Sequence, residues 1–345
     1  MSCKLTWNAG ALRQRPRPRH GKRHTWVGKP AQSRVVKTRE PGGVVDNQTM
    51  RTILSLRHFL LALAVVAVWG TNFVVIKLAL GQMPPLLFAT LRFLVVVLPM
   101  VFFLPRPAVP WRNLAAYGLL IGVGQFGLLF VAMNGHISPG LASLVIQTQV
   151  FFTIGLAMLM AGESLQRVQW LALMLGAAGL AVIVSHTDGS TTLLGLGLIL
   201  LAALSWAGGN LVSRAAGRIN MVAYVVWSSL FAAPPLAALS LWVEGWDALV
   251  AGLQQADAFT WAAVAWQAWG NSLFGYAAWG WLLSRYSAAT ITPMALLVPL
   301  FGMGGSALWL GEGLPGWKLL AAALVMLGLA LNLLWPWWAR RWQRR

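Results

Sequence analysis

Arg92 has the most distinctive chemistry in this sequence, because its guanidinium stands within the apolar run FATLRFLVVV. A charged side chain at membrane depth is costly unless it faces a cavity or a partner. The planar guanidinium matches the geometry of a carboxylate, yet no acidic residue lies near Arg92 in the sequence. Two interpretations stay open. Arg92 binds backbone carbonyls, water or a substrate carboxylate in a cavity, or its side chain extends to the membrane surface.

Neutral amides and aromatic rings accompany the arginine in the apolar segments. An amide supplies both a donor and an acceptor, and an aromatic ring can contact an ammonium group, so a small zwitterion is a suitable ligand. Amides also join membrane helices, and tryptophans also lie at lipid interfaces, so each residue has a structural alternative. The candidates for substrate binding are Trp69, Asn72, Arg92, Gln125, Gln149, Trp206, Asn210, Trp227, Tyr276 and Trp279.

The elements that must position these side chains are apolar spans. Of the 345 residues, 58% are hydrophobic and 10% are charged, which is typical of membrane proteins. A helix needs about 20 apolar residues to cross the hydrocarbon core. Such stretches recur at 58–80, 85–104, 113–134, 140–161, 167–185, 192–213, 221–242, 259–283, 288–310 and 314–335. The sequence therefore predicts an all-α integral membrane protein with ten transmembrane helices.

The distribution of Lys and Arg predicts the orientation of the spans, because positive residues are retained on the cytoplasmic side. The connections on the other side carry Asp188, Glu244, Asp247 and Asp257 but no Lys or Arg. We therefore expect both termini to be cytoplasmic. The inner loops and the basic tail, 336–345, hold Arg106, Arg112, Arg167, Arg214, Arg218, Arg285, Arg340, Arg341, Arg344 and Arg345.

One pair of similar segments indicates an internal repeat. VWGTNFVVIK at 68–77 and SWAGGNLVSR at 205–214 align Trp69 with Trp206 and Lys77 with Arg214, 137 residues apart. The shared Trp, Asn and cation could form a half-site of a binding or gating device in each repeat. Alternatively, the two cations act as anchors at the membrane interface.

A second pair of segments defines the length of the repeat. GESLQRVQWLALMLGAAGLA aligns with GEGLPGWKLLAAALVMLGLA, 149 residues further on. The unit is then five helices long, and a unit with an odd number of helices inserts upside down in its second copy. We predict two inverted repeats, 58–185 and 192–335, an arrangement that holds substrate near the midplane during alternating access.

Four further residues are candidates for structural or gating roles. Glu163 and Glu312 precede the fifth and tenth spans, and we expect them to cap those helices, where the dipole favours a carboxylate. Pro293 and Pro299 are expected to break the ninth helix, which is tolerated only where protein or a wet cavity satisfies the freed backbone groups.

A basic head, residues 1–49, precedes the spans. Its first 39 residues contain 11 Lys or Arg and no acid, a pattern typical of a disordered, solvated tail. A nucleic-acid tail and an organelle transit peptide are weaker alternatives. Our preferred hypothesis is that translation starts at Met50, which gives a short basic lead into the first helix.

The sequence contains no recognisable catalytic or cofactor motif. Cys3 is the only cysteine, the five histidines lack ligand spacing, and G-x-x-x-x-G-K-[ST] is absent. An intramembrane enzyme would need a Ser/His dyad or paired Asp within the spans, and no Asp lies in a span. We therefore expect no enzyme, no cofactor, no metal and no nucleic-acid partner, but a small-molecule substrate and the lipid bilayer as partners.

Three segments carry a resemblance to a known family: WGTNFVVIKLALGQMPPLLFATLRFLVVVLP, GQFGLLFVAMNGHISPGLASLVIQTQVFFTI and YAAWGWLLSRYSAATITPMALLVPLFG. From Leu54 to about Trp338 the chain resembles the EamA-type branch of the drug/metabolite transporter superfamily, in particular its exporters of O-acetylserine and cysteine. The resemblance implies ten helices and export of small amino-acid metabolites across the bacterial inner membrane, without chemical transformation. Carriers of aromatic amino acids, drugs or nucleotide sugars with the same fold, and a non-transporting membrane scaffold, remain alternatives.

Overall fold

Apolar helices dominate this computed structural model, which describes residues 54–161, 166–187, 190–217, 219–286 and 288–342. The predicted basic head, the proposed start at Met50, Glu163 and the last three residues of the tail lie outside the described residues. The predicted tail begins within a helix, because the last helix continues to Trp342.

Nine helices in the described ranges have the length and composition needed to cross a membrane. They are α1 (Leu56–Ala79), α2 (Pro85–Phe102), α3 (Trp111–Met133), α4 (Pro139–Leu159), α5 (Arg167–Val184), α6 (Leu193–Ala215), α7 (Met221–Val243), α9 (Thr292–Leu310) and α10 (Gly316–Trp335). The prediction of an all-helical membrane fold is confirmed.

The predicted eighth span is also helical, although its composition does not place it among those nine. This helix, α8, runs without a gap through Ala258–Ala265, Trp266–Phe274 and Gly275–Arg285. A short helix, Trp246–Gln255, precedes it. The architecture is therefore consistent with ten membrane helices.

Side chains before three of the helices explain where those helices begin. The Thr192 hydroxyl accepts a hydrogen bond from the N–H of the third residue of α6. Asn220 accepts two backbone N–H bonds at the start of α7, and Asp257 accepts one at the start of α8. Such caps satisfy N–H groups that have no partner within a helix. At the other end of α9, Gly311 adopts a φ of +67°, which terminates the helix.

The positions of the helix ends are consistent with an inverted second repeat. The Lys77 ammonium lies 3.5 Å from the carbonyl oxygen of Met133, so α1 and α3 end on the same face. The Thr192 N–H donates to the His136 carbonyl oxygen over 2.9 Å, which places the start of α6 on that face too. Because α1 ends where α6 begins, this placement agrees with two five-helix units that run in opposite directions.

Helix packing follows the same two-fold relationship. Helix α2 packs on α7, and α5 packs on α10. Helix α1 packs on α9, while its counterpart α6 packs on α4. Exchanging helices 1 to 5 for helices 6 to 10 therefore reproduces these pairings.

Departures from α-helical geometry also recur in both halves. Helices α3 and α8 each contain a nine-residue π-helical segment, Leu119–Gly127 and Trp266–Phe274. Helices α4 and α9 each contain a 3-10 segment, Ile146–Thr148 and Thr292–Leu296. The π segments begin 147 residues apart (119 and 266), which lies between the two repeat offsets in the sequence. Irregular turns of this kind are frequent at functional sites.

A 3-10 segment interrupts the α-helical geometry of α9 where a break was predicted, and the two prolines have different positions. Pro293 lies in the 3-10 segment. Pro299 lies in the first turn of the following helix, Leu297–Leu310, where no intrahelical N–H bond is lost. Helix α4 breaks at Ile146–Thr148 without any proline, so proline is not the common cause of the break.

Candidate functional site

A small cavity lies between α2 and α3 of the first repeat and α7 and α8 of the second. These four helices are equivalent in pairs under the repeat, so the cavity lies at the interface of the two halves. Its lining consists of Arg92, Phe93, Tyr117, Gly118, Ile121, Gly122, Phe126, Val225, Ser228, Ser229, Ser272 and Tyr276.

Arg92 is the only charged residue in this lining, and it is 1% exposed. Its Nη2 donates to the Ser272 hydroxyl over 2.9 Å, and its guanidinium carbon lies 3.4 Å from the centroid of the Phe126 ring. Its Nε and Nη1 have no hydrogen-bond partner within the described ranges. The interpretation in which Arg92 extends to the membrane surface is therefore wrong, and the internal cavity is its environment.

The π-helical segment of α8 positions the partner of Arg92. The Ser272 hydroxyl donates to the carbonyl oxygen of Gln267, five residues earlier, over 3.0 Å. Its oxygen thus faces the guanidinium as an acceptor. Our sequence analysis did not select Ser272. The polar run QAWGNS within an otherwise apolar span was the available signal.

Two serines of α7 form another polar part of the lining that the sequence analysis missed. The hydroxyls of Ser228 and Ser229 donate to the Val225 carbonyl oxygen over 3.0 and 2.7 Å, and each residue is 2% exposed. A β-carbon added at Gly118 would lie 2.2 Å from the Ser228 carbonyl oxygen. Glycine at 118 therefore lets α3 approach α7 closely at this point.

Three predicted aromatic residues come together beside the cavity. The Trp69 ring centroid lies 6.1 Å from that of Tyr276 and 5.2 Å from that of Trp279. The Trp69 indole N–H donates to the Asn271 carbonyl oxygen over 3.1 Å. Of the three, only Tyr276 lines the cavity. Trp69 packs against Tyr276, and Trp279 packs against Trp69.

Three of the predicted amides join helices to one another. Asn72 on α1 and Gln267 on α8 exchange two hydrogen bonds, of 2.8 and 3.4 Å. Asn210 on α6 donates to the Gln149 side-chain oxygen on α4 over 2.9 Å. Asn72, Gln149 and Asn210 do not line the cavity. Their contacts fit the alternative in which buried amides join membrane helices.

Gln125 has a different environment from those amides. It is buried in the π-helical segment of α3. Its side-chain oxygen has no hydrogen-bond partner in the part of the chain that the structure describes. Gln125 does not line the cavity, although the adjacent Phe126 does.

The other members of the two Trp/Asn/cation patterns lie in unlike environments. Lys77 is half-buried at the end of α1, whereas Arg214 is exposed at the end of α6. Trp206 is half-buried on α6 and does not line the cavity. Trp227, a predicted aromatic outside these patterns, donates its indole N–H to the Leu104 carbonyl oxygen over 3.0 Å and does not line the cavity. The patterns therefore do not converge on one site.

Glu312 corrects an expectation, because it does not cap its own helix α10. Its carboxylate accepts the backbone N–H of Gly140, at the start of α4, over 2.9 Å and the hydroxyl of Ser138 over 2.5 Å. The Ser306 hydroxyl and the Lys318 ammonium, the latter at 2.9 Å, complete its partners. Burial raises the pKa of the Glu312 carboxyl, but these hydrogen bonds lower it by more, so the pKa lies below its ordinary value.

Two more carboxylates of the second repeat contact the first repeat on this side. Glu244 accepts the backbone N–H groups of Leu86 and Leu87, at the start of α2, over 2.6 and 3.1 Å. Asp257 accepts the side-chain amide of Gln82 over 3.1 Å. We call the side formed by Glu244, Asp257 and Glu312 the acidic face. All three contacts join the two repeats.

A helical membrane protein with a cavity between its two halves, and a buried arginine in that cavity, has features typical of a membrane transporter. Comparison with known sequences identifies the family. The chain belongs to the EamA-like transporter family, whose model matches residues 56–185 and 193–334.

Individual relatives cover most of the chain. It is 42% identical over 285 residues to a "Probable amino-acid metabolite efflux pump" of Salmonella typhimurium, covering 81% of this chain and 95% of the relative. It is 30% identical over 295 residues to the "Uncharacterized inner membrane transporter YedA" of Escherichia coli, covering 81% and 92%. A solved structure titled "Crystal structure of protein" shares the fold, with a TM-score of 0.55, 18% identity, and coverage of 80% of this chain and 95% of that one.

Proposed function

We propose that this protein exports small amino-acid metabolites, O-acetylserine and cysteine among them, across the bacterial inner membrane by alternating access, with both termini cytoplasmic. The family, the amino-acid metabolite pump of Salmonella typhimurium and the inner membrane transporter of Escherichia coli support this proposal. The charge distribution of the loops supports the orientation.

The observation that carries the substrate class is the incomplete set of partners around Arg92. A buried charge is costly unless it is paired and hydrogen-bonded. Arg92 donates one side-chain hydrogen bond, to Ser272, while Nε and Nη1 have no partner within the described ranges. The cavity lining holds no carboxylate. A substrate carboxylate supplies both the missing charge and the missing acceptors, which favours an amino acid or a related acid.

The location of the cavity fits transport. It lies between α2 and α3 on one side and α7 and α8 on the other, so a rocking motion of the repeats changes which end of the cavity is open. Contacts of the acidic face must then break and form again during the cycle. The protein binds, reorients and releases its substrate, and no bond of the substrate is broken.

Efflux from cells tests this function. Cells that produce the full chain are compared with cells that produce Arg92→Ala, and O-acetylserine and cysteine are measured in the medium. We expect the wild type to raise both, and Arg92→Ala to lower the export rate by at least about 30-fold, because a buried charge partner is lost.

The control for this experiment is Arg167→Ala, which removes an exposed arginine at the start of α5. This variant should export like the wild type when equal amounts are present in the membrane. Wild-type export that Arg92→Ala leaves unchanged would refute the assignment of Arg92. No export of either compound by the wild type would refute the proposed substrates.

A further inference from the structure

We propose that the hydroxyl oxygens of Ser228 and Ser229 on α7 bind the ammonium group of the substrate while Arg92 on α2 binds its carboxylate. This proposal rests on the proposed function and assigns an orientation to the zwitterion in the cavity. One end of the substrate then contacts the first repeat, and the other end contacts the second repeat.

The charges of the lining require a neutral site for the ammonium group. Arg92 is the only charged residue that lines the cavity. An ammonium group is a donor of three hydrogen bonds and accepts none, and it is repelled by a guanidinium. It therefore needs uncharged acceptors away from Arg92.

Ser228 and Ser229 can accept hydrogen bonds from the substrate, because each hydroxyl hydrogen is already donated to a backbone carbonyl oxygen. Both hydroxyls donate to the Val225 carbonyl oxygen, over 3.0 and 2.7 Å. A hydroxyl oxygen that donates in this way retains two lone pairs. Both serines line the cavity and are 2% exposed, so these lone pairs lie where water competes little.

Ser272 does not offer the same site. Its hydroxyl donates to the Gln267 carbonyl oxygen over 3.0 Å and accepts from Arg92 over 2.9 Å. An ammonium group at this oxygen would lie against the guanidinium. Ser272 therefore positions Arg92. The α7 serines remain as serine hydroxyls of the lining that are hydrogen-bonded to a backbone carbonyl and not to the guanidinium.

The backbone holds this acceptor pair in place. The Ser228 carbonyl oxygen lies against the backbone of Gly118, where a β-carbon would be only 2.2 Å away. The contact fixes α7 against α3 at the level of the cavity. Preorganised dipoles bind a charge more strongly than dipoles that must reorient.

The orientation predicts which ligands the cavity prefers. A zwitterion satisfies both ends, an acid without an amino group leaves the serines without an ion, and an amine without a carboxylate leaves Arg92 unpaired. Hydrogen bonds to a charged group contribute enough for about a tenfold preference. Cysteine should therefore bind better than both 3-mercaptopropionate, which lacks the ammonium, and cysteamine, which lacks the carboxylate.

Competition in proteoliposomes tests the proposal. The full chain is reconstituted, uptake of labelled cysteine is measured, and each of the three unlabelled compounds is added as a competitor. In the wild type we expect cysteine to compete about tenfold better than 3-mercaptopropionate. In the double variant S228A/S229A, cysteine and 3-mercaptopropionate should compete about equally well. Cysteine should still compete better than cysteamine.

The matched control is Ser143→Ala. Ser143 is also buried, and its hydroxyl donates to a carbonyl oxygen three residues earlier, but it does not line the cavity. It should keep the wild-type preference. If the double variant is absent from the membrane, the single variants S228A and S229A replace it, and each should lower the preference severalfold.

Three outcomes would overturn the proposal. An unchanged preference in S228A/S229A shows that the serines do not contact the ammonium. Loss of the preference in Tyr276→Leu, with no effect of the serine variants, places the ammonium on the aromatic ring instead. Failure of the wild type to transport cysteine refutes cysteine as a substrate of the proposed function, and this inference fails with it.

Discussion

The carboxylate of Glu312, in the connection between α9 and α10, accepts the backbone N–H of Gly140 at the start of α4 over 2.9 Å. A carboxylate at a helix N-terminus satisfies a free donor and interacts favourably with the helix dipole. A side chain at Gly140 would occupy this space, because a β-carbon there would lie 2.9 Å from the carboxylate. Glu244 makes the same kind of contact with the start of α2. Two carboxylates of the second repeat thus cap two helices of the first.

Substituting Glu312 by glutamine should destabilise the protein. The change leaves Lys318, whose side chain is 9% exposed, without its counter-ion at 2.9 Å. Removal of one partner from a buried ion pair costs about 3 kcal/mol. We expect a lower melting temperature of the detergent-solubilised protein. The double variant E312Q/K318M should recover part of the loss, and a double variant no more stable than E312Q would contradict this account.

The effect of Glu312 should depend on pH in one direction. Its pKa is lowered in the folded protein, so its contribution is complete above the ordinary pKa of a glutamate and is lost as the pH falls through the folded value. The difference in melting temperature between wild type and E312Q should therefore be constant from about pH 8 to pH 5. It should shrink only in stronger acid. A difference that disappears near neutral pH would show that another group is responsible.

A cross-link on the acidic face should stop transport if the repeats rock there. Gln82 and Asp257 are joined by a 3.1 Å hydrogen bond between the two repeats. The variant Q82C/D257C, made in a Cys3→Ser background so that no native thiol remains, should lose export on oxidation and regain it on reduction. The Cys3→Ser protein alone should respond to neither treatment. Full export by the oxidised, cross-linked protein would exclude movement at this contact.

Two glycines should respond in opposite ways to alanine. A β-carbon at Gly118 would lie 2.2 Å from the Ser228 carbonyl oxygen, whereas one at Gly197 on α6 meets no described atom within 4 Å. Gly118→Ala should destabilise the protein by about 2 kcal/mol through overpacking and weaken transport. Gly197→Ala should be neutral or stabilising by about 0.5 kcal/mol, because alanine favours a helix. The measurement is the melting temperature of each variant. Equal changes in the two variants would contradict the prediction.

The sequence predicted the membrane helices well because each span carries its own signal. About 20 apolar residues suffice to define a span, and α1 to α7 begin and end near the predicted positions. The sequence did not predict that α4 would break like α9, because it contains no proline at Ile146–Thr148. The paired π-helical segments were also missed. A change in hydrogen-bond register depends on the packing of neighbouring helices, which is not encoded in local composition.

The candidate site was predicted less completely than the fold. Arg92 and Tyr276 were selected and line the cavity, but Tyr117, Ser228, Ser229 and Ser272 were not selected. A serine in an apolar span can donate to its own helix backbone and so carries little signal in the sequence. For Asn72 and Asn210 the prediction and the structure differ in the opposite way. Their amides were selected as ligands, and the structure shows each bound to another amide.

The sequence by itself determined the membrane class and the helices, because hydrophobic length is a property of the chain alone. The recurring segments predicted a five-helix repeat, with which the structure is consistent. The sequence also identified Arg92 as a charge in need of a partner. Only the tertiary structure decided which groups surround that charge and which helices Glu244 and Glu312 cap. Those contacts join residues from different repeats, 180 positions apart in the case of Arg92 and Ser272. Such contacts depend on how the inverted halves pack, and local sequence does not specify that packing.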